Sequence, residues 1–180
     1  MSILITGTGT VGVQTIRSAV EKGNEDIISL DISPNKEFIE SVAGKKPYLE
    51  RGSILNLPFL MELIAKYGVK RIIHTAVAPE ENPSIYDTIN TNVMGTSNIF
   101  EAARILGVER VVNCSSAGVY DFTKERPTAP ISPDWSISPK DNIPYFSSKI
   151  AVEAIARNYN HKYDTQIITV RLGGNFGPSV

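Results

Sequence analysis

Apolar runs of four to six residues alternate along the chain with longer amphipathic segments. SILIT (2–6) reads as a strand, and VGVQTIRSAVEKG after it carries apolar residues at helical spacing up to a glycine stop. DIISLD (26–31) predicts a second strand and KPYLE (46–50) a weaker third. LPFLMELIAKYG (57–68) predicts a helix, with Pro58 in its first turn and Gly68 just past its end. VKRIIHTAV (69–77) and VERVVNCSS (108–116) are strand-like, on either side of a helix over about 84 to 106. A helix from about Pro144 to Tyr159 precedes the last strand, TQIITVRL (165–172). Strands that each lead into a helix predict a parallel sheet covered on both faces, a doubly wound α/β architecture in one unit over residues 1–180. One segment breaks the rhythm. Asp121 to Ile143 carries Pro127, Pro130, Pro133 and Pro139 and reads as a loop insertion of about 20 residues, a length typical of functional or disordered segments.

Composition narrows the function classes. Hydrophobic content of 42% and charged content of 21% are those of a soluble globular protein, and a net charge of −1 gives no electrostatic reason to expect nucleic acid or a membrane surface as partner. The opening residues lack the basic and apolar regions of a signal peptide, and no apolar run approaches the ~20 residues that span a bilayer. A cytoplasmic setting is therefore expected. The single cysteine, Cys114, excludes an internal disulfide and reads as a small buried hydrophobe. His74 reads as strand-end packing and His161 as exposed, so no metal site is expected.

ITGTGTVG places Gly7, Gly9 and Gly12 between the first strand and the first helix as a G-x-G-x-x-G. In that context the glycines allow a tight turn and a close backbone approach to pyrophosphate, which the helix N-terminus attracts together with Thr10 and Val11. Asp31 follows Gly12 by 19 residues at the end of the second strand, where a carboxylate can accept bonds from both adenosine ribose hydroxyls. It would repel a 2′-phosphate, and no arginine follows within ISPNK, so NAD is favoured over NADP.

Two tyrosines stand four residues before a lysine. Tyr120 and Lys124 lie in AGVYDFTKERP, which has no helical character, whereas Tyr145 and Lys149 follow Pro144 in a helix-compatible segment. There Ile150, Ala151, Ala154 and Ile155 are expected to pack on the sheet, with Tyr145, Lys149 and Val152 on a neighbouring face. A free phenol, with a pKa of about 10, is a poor base at neutral pH, and lowering it toward 7 takes roughly 4 kcal/mol. A nearby ammonium and the positive nicotinamide of NAD both favour the phenolate, which can then remove an alcohol proton as hydride leaves the carbon. Ser115 and Ser116, at a strand C-terminus, can supply the hydroxyl that holds the substrate oxygen.

Together these motifs resemble the extended short-chain dehydrogenase/reductase superfamily, in its NAD-dependent nucleotide-sugar epimerase/dehydratase branch. That resemblance implies a Rossmann fold. RIIHTAVAP is similar to the branch's fourth-strand segment, implying that Ala76, Val77 and Ala78 line the cofactor. NTNVMGTSNIFEAAR resembles its N-V-x-G-T helix and maps a structural, cofactor-side asparagine onto Asn92. VVNCSSAGVY implies a catalytic Ser116, and YFSSK implies Tyr145 as acid/base with Lys149 as pKa partner and ribose ligand. VRLGGNFGP implies that Leu172 contacts nicotinamide and that Gly174 and Asn175 lie on the substrate side. Ile32, beside Asp31, together with Ser53 and Ile54, falls at the adenosine end. Ser53 stands where the branch has an aspartate.

Other departures bear on function. The glycine turn is one residue shorter than the branch's G-x-x-G-x-x-G. Its dehydratases carry Thr-Asp-Glu where this chain has Ser116, Ala117 and Gly118, which argues against sugar 4,6-dehydration. The branch's substrate domain follows the sixth strand, so a chain of 180 residues is expected to lack it. The implied activity is an NAD-dependent epimerase or reductase acting on a sugar or nucleotide sugar. The alternative is a non-catalytic NAD-binding module, a redox sensor or scaffold. A homodimer through the helices near 84–106 and 144–159 is a further expectation from the resemblance.

Overall fold

A computed structural model of the protein describes residues 1–23, 26–44, 47–78, 84–121, 130–138 and 143–174. Six strands, β1 (Ile3–Thr6), β2 (Ile27–Asp31), β3 (Tyr48–Arg51), β4 (Arg71–His74), β5 (Arg110–Ser116) and β6 (Gln166–Leu172), form one parallel sheet in the order β3-β2-β1-β4-β5-β6. This is the doubly wound arrangement that the alternating pattern predicts. The chain begins at the centre, steps outward to β3, then crosses to the far side of β1 and steps out to β6. At that switch the connections leave β1 and β4 in opposite directions and open a crevice at the strand carboxyl ends.

Helices α1 (Thr10–Glu21) and α2 (Lys36–Ala43) cover one face against Ile3, Ile5 and Ile27. On the other face lie α3 (Leu57–Tyr67), α4 (Ile85–Ile89), α5 (Thr96–Ile105) and α6 (Pro144–Lys162), with Leu4, Ile72, Phe100 and Val111 in the core beneath them. Helix α2 has no counterpart in the sequence reading. It is short, buries only Ile39 and Ala43, and is started by Asn35, whose Oδ1 accepts from the Phe38 N–H. The single helix expected over 84–106 is instead two α-helices joined by a π-helical segment, Asn90–Gly95. That wider turn carries Asn92 inward and brings Gly95 so close to Ile54 that a Cβ there would meet its side chain at 2.6 Å.

The buried face of α6 differs from expectation. Ser148, Lys149, Val152, Glu153 and Ala156 face inward, while Ile150, Ala151 and Ile155 are half-buried and Ala154 is exposed. Apolar character alone pointed to the wrong face, because the two charges on the inner one have partners. Arg171 on β6 bonds Glu153 through Nη2 at 2.7 Å and Nε at 3.0 Å, and Ser115 donates to the same carboxylate at 2.6 Å. Arg171 also donates to the Pro133 carbonyl and lies over the Tyr120 ring, so one guanidinium ties β6, α6 and the 130–138 segment together. Further bonds fasten that segment beside Tyr120: Asp121 N–H to Ser136 O, and Ser138 N–H to Val119 O.

His74 joins the two halves of the sheet to α5. It is 2% exposed, with Nδ1 2.6 Å from Thr6 Oγ1 and Nε2 2.9 Å from Thr96 Oγ1. Thr96 gives its proton to the Asn92 carbonyl, so Nε2 carries the hydrogen and Nδ1 accepts from Thr6. Burial, with the charge of Lys149 adding to it, lowers the imidazole from 6.5 to about 3. The folded state therefore favours neutral His74, and its contribution to stability is present above pH 6.5 and lost as pH falls toward 3. Between pH 7 and 4.5, urea unfolding of the wild type should lose about 2–3 kcal/mol more than that of His74→Gln, at 1.36 kcal/mol per unit. Equal losses would mean that His74 is not held neutral.

Candidate active site

The strand carboxyl ends open into a cleft of about 780 Å³. Its floor is the glycine turn. Gly7 has φ +85°, and a Cβ there would lie 2.7 Å from Ala76 N and Cα. A Cβ on Gly12 would overlap the Gly7 carbonyl oxygen, so neither position admits a side chain. Gly9 behaves differently: a Cβ there meets nothing within 4 Å and would project from a cleft-lining residue at the start of α1. The fold does not need glycine at 9. A pyrophosphate seated on the α1 N-terminus does, so the turn fits a dinucleotide at its shortened length.

Of the residues expected to hold the cofactor, Gly7, Gly9, Thr10, Val11, Gly12, Asp31, Ile32, Ser53, Ile54, Ala76, Val77, Ala78 and Leu172 line this one cleft, with Ser116, Tyr145 and Lys149. Three expected positions stand apart. Asn92 is buried behind the wall: its Oδ1 accepts from the Ala78 N–H at 2.7 Å, and its Nδ2 donates to Ser148 Oγ at 3.0 Å. It thus supports two cleft segments without facing the cleft. Gly174 is exposed and outside the lining, and Asn175 lies outside the described residues, as does Lys124 of the second tyrosine–lysine pair.

At one end, Asp31 is more engaged than the sequence suggests. Its Oδ2 accepts from both the N–H and the hydroxyl of Thr8, at 2.7 and 2.9 Å, and its Oδ1 from the Ser33 N–H at 2.9 Å. Thr8, inside the glycine motif, was not singled out from sequence, because its role depends on a turn that only the fold defines. The Ser53 hydroxyl accepts from the Leu55 N–H and so closes its own turn. Thr75 and Cys114 also line the cleft unforeseen, Cys114 half-buried there rather than in the core.

At the other end, Lys149 is 6% exposed. Its Nζ donates to the Cys114 carbonyl at 2.8 Å and lies 5.4 Å from the Tyr145 ring centroid. Burial lowers the ammonium from 10.5 to about 8, so it remains largely charged at pH 7. Ser148 is fully buried, receives Asn92 Nδ2 and donates to the Tyr145 carbonyl at 2.6 Å, which fixes the first turn of α6. Ser116 ends β5 in the same cleft and caps the short turn after it, its Oγ accepting from the Gly118 N–H at 3.1 Å. A phenol, an ammonium and a hydroxyl thus line the same cleft. Such a set can exchange a proton with an alcohol or carbonyl.

The chain is similar to known proteins along nearly its whole length. Residues 3–180 match the NAD dependent epimerase/dehydratase family. UDP-glucose 4-epimerase from Erwinia amylovora is 30% identical over 171 residues, covering 88% of this chain and 48% of that protein. dTDP-glucose 4,6-dehydratase from Streptomyces griseus is 26% identical over 193 residues, covering 98% and 55%. Among solved structures, dTDP-glucose 4,6-dehydratase from Bacillus anthracis in complex with NAD superposes with a TM-score of 0.85 at 26% identity, covering 99% of this chain and 56% of that one. WbmG from Bordetella bronchiseptica, in complex with NAD and UDP, gives 0.80 at 29% identity, covering 99% and 55%. The chain spans about half the length of the curated relatives it matches.

The glycines separate folding from binding. Gly12→Ala should cost about 1–3 kcal/mol or more through overlap with the Gly7 carbonyl. Gly9→Val should unfold within about 1 kcal/mol of wild type yet bind NADH at least about tenfold more weakly. Thermal melts and an NADH titration read the two effects, and a Gly9→Val protein that binds normally would remove the pyrophosphate from this turn.

Proposed function

The chain belongs to the NAD dependent epimerase/dehydratase family, and from that premise we propose that it serves an NAD-dependent epimerase or reductase acting on a sugar or nucleotide sugar. The observation that carries this reading is the placement of Lys149 Nζ between the Cys114 carbonyl and the Tyr145 ring, at the end of the cleft that Ser116 and Leu172 line. A charge held there favours the phenolate of Tyr145, which takes the proton of a substrate hydroxyl, while the Ser116 hydroxyl holds the same oxygen. NAD, when bound, supplies the hydride acceptor. On the return step Tyr145 gives the proton back to the carbonyl oxygen, and in an epimerase the substrate presents its other face.

The lack of space at Gly118 favours this chemistry over dehydration. A Cβ at Gly118 would overlap the Phe146 ring, which packs edge-on against Tyr145 with centroids 5.4 Å apart. No acidic side chain can enter there without displacing the neighbour of the proposed acid/base.

The same reading includes a homodimer. Helix α4 presents Ile85, Tyr86 (75% exposed) and Ile89, and it packs beside α6, whose Ala154 is also exposed. Tyr86→Glu with Ile89→Glu should convert a dimer to a monomer in light scattering. A wild type that is monomeric at tens of micromolar would refute this part.

The decisive test uses the full-length protein loaded with NAD and challenged with UDP- and dTDP-sugars, with absorbance at 340 nm reporting reduction. Tyr145→Phe should cut turnover at least about 100-fold while NADH affinity stays within a few-fold. Because the ammonium is present below about pH 8, the wild type should lose activity above that value, and Lys149→Arg should move the alkaline limb upward. Binding of NADH without reduction by any sugar nucleotide would instead favour the non-catalytic module.

A further inference from the structure

We propose that Arg51 forms a receptor for a phosphate on the adenosine ribose 2′-oxygen, so that the protein takes NADP(H) as well as NAD(H). This rests on the dinucleotide reading of the cleft and goes beyond it. In the sequence no arginine follows Asp31 within ISPNK, but the sheet supplies one from the neighbouring strand. The β2–β3 register pairs Asp31 with Arg51, and residues paired in register on adjacent parallel strands share a face of the sheet. Arg51 Nε donates to the Ile32 carbonyl at 3.0 Å. That bond ties Arg51, itself exposed and outside the lining, to Ile32, which lines the cleft wall together with Gly52 and Ser53. With Nε committed to a backbone carbonyl, the terminal nitrogens make no hydrogen bond or ion pair among the described residues. Their fork matches phosphate oxygens.

The carboxylate that normally excludes a 2′-phosphate is restrained here. Asp31 accepts three hydrogen bonds, two from Thr8 and one from Ser33. Those donors spread its charge and hold it toward the glycine turn. It makes no ion pair with Arg51 within 4.0 Å, so the cation is not consumed by its strand neighbour. Asp31 and Arg51 together carry no net charge. A dianionic phosphate beside this wall therefore meets one attractive and one repulsive group, instead of the lone acid that the sequence shows.

The test is a titration of this chain with NADH and NADPH, repeated with 5′-AMP and 2′,5′-ADP as competitors. NADPH should bind within about tenfold of NADH, with the steeper loss as salt rises. Arg51→Leu should weaken NADPH and 2′,5′-ADP at least about tenfold more than NADH and 5′-AMP. Asp31→Ser should strengthen NADPH when Arg51 is present and leave it unimproved in the Arg51→Leu background. NADPH weaker than NADH by about 100-fold or more, or an Arg51→Leu change that affects both cofactors equally, would overturn the assignment. If neither dinucleotide binds, the cofactor reading itself fails and this inference falls with it, whereas NADH binding alone refutes only the inference.

Discussion

The structure turns on a contact that only glycine permits. The Gly7 carbonyl occupies the space that any side chain at Gly12 would need, and Gly7 itself lies against the backbone of Ala76. The turn is held from both sides: Gly7 N–H donates to the Leu30 carbonyl at 2.8 Å, and Thr75 Oγ1 donates to the Thr6 carbonyl at 2.8 Å. Because no Cβ intervenes, the chain reverses within a few residues of β1, and α1 begins directly beneath the mouth of the cleft. Asp31 can then reach Thr8, and the loop after β4 can close the opposite wall. Adding one methyl group at Gly12 would push α1 off the sheet and widen the floor, so the two ends of the cleft share a single steric origin.

Under the cleft lies a group of five buried polar side chains, each of which has a partner. His74, Asn92, Ser148, Lys149 and Glu153 are each at most 6% exposed. Each unpaired member would cost about 1–3 kcal/mol, and more for the two charges. The layer closes on itself: Thr6–His74–Thr96 joins the sheet to α5, Ala78–Asn92–Ser148 joins the β4 loop to α6, and Ser115–Glu153–Arg171 joins β5, α6 and β6. Apolar packing of the same shape would be as stable or more so, since buried ion pairs seldom gain on hydrophobic replacements. What the polar layer adds is direction. A hydrogen bond fixes the angle between β5 and α6, on which the relation of Ser116 to Tyr145 depends, where a methyl contact would let them slide.

The sequence was most legible where one rule acted alone. Strands of continuous apolar residues and a glycine spacing beside them were enough to predict a parallel, doubly wound sheet and locate the cleft, and the positions expected to line it come from all six strand ends. Readings failed where two rules competed. On α6, burial by apolarity pointed to Ile150, Ala151, Ala154 and Ile155, but Lys149 and Glu153 win the inner face because partners on β5 and β6 await them. Over 84–106 the periodicity is helical throughout, and nothing in it marks the π-helical turn that Asn92 requires. Thr8 and Arg51 escaped for a different reason. Their neighbours in space are 23 and 20 residues away in sequence, Asp31 in both cases, and only the turn and the strand register bring them together.

Lys149 shows how the site balances stability against reactivity. A buried ammonium is costly, and burial moves its pKa from 10.5 to about 8. Full desolvation would go further and leave an amine, which has no charge to offer a phenolate. The Cys114 carbonyl prevents that by accepting one of the three N–H bonds at 2.8 Å, and the Tyr145 ring offers its negative face at 5.4 Å. The charge is thus kept near neutral pH by one backbone carbonyl and one π-face, neither of which can neutralise it as a carboxylate would. Glu153 lies a single helical turn beyond Lys149 and could have formed that ion pair, but Arg171 and Ser115 hold it turned away. An ammonium paired with Glu153 would be more stable and would do less for a phenolate. Committing Glu153 to Arg171 leaves the field of Lys149 for the neighbouring phenol, so the pair that braces the fold also keeps the proposed acid/base pair electrostatically separate.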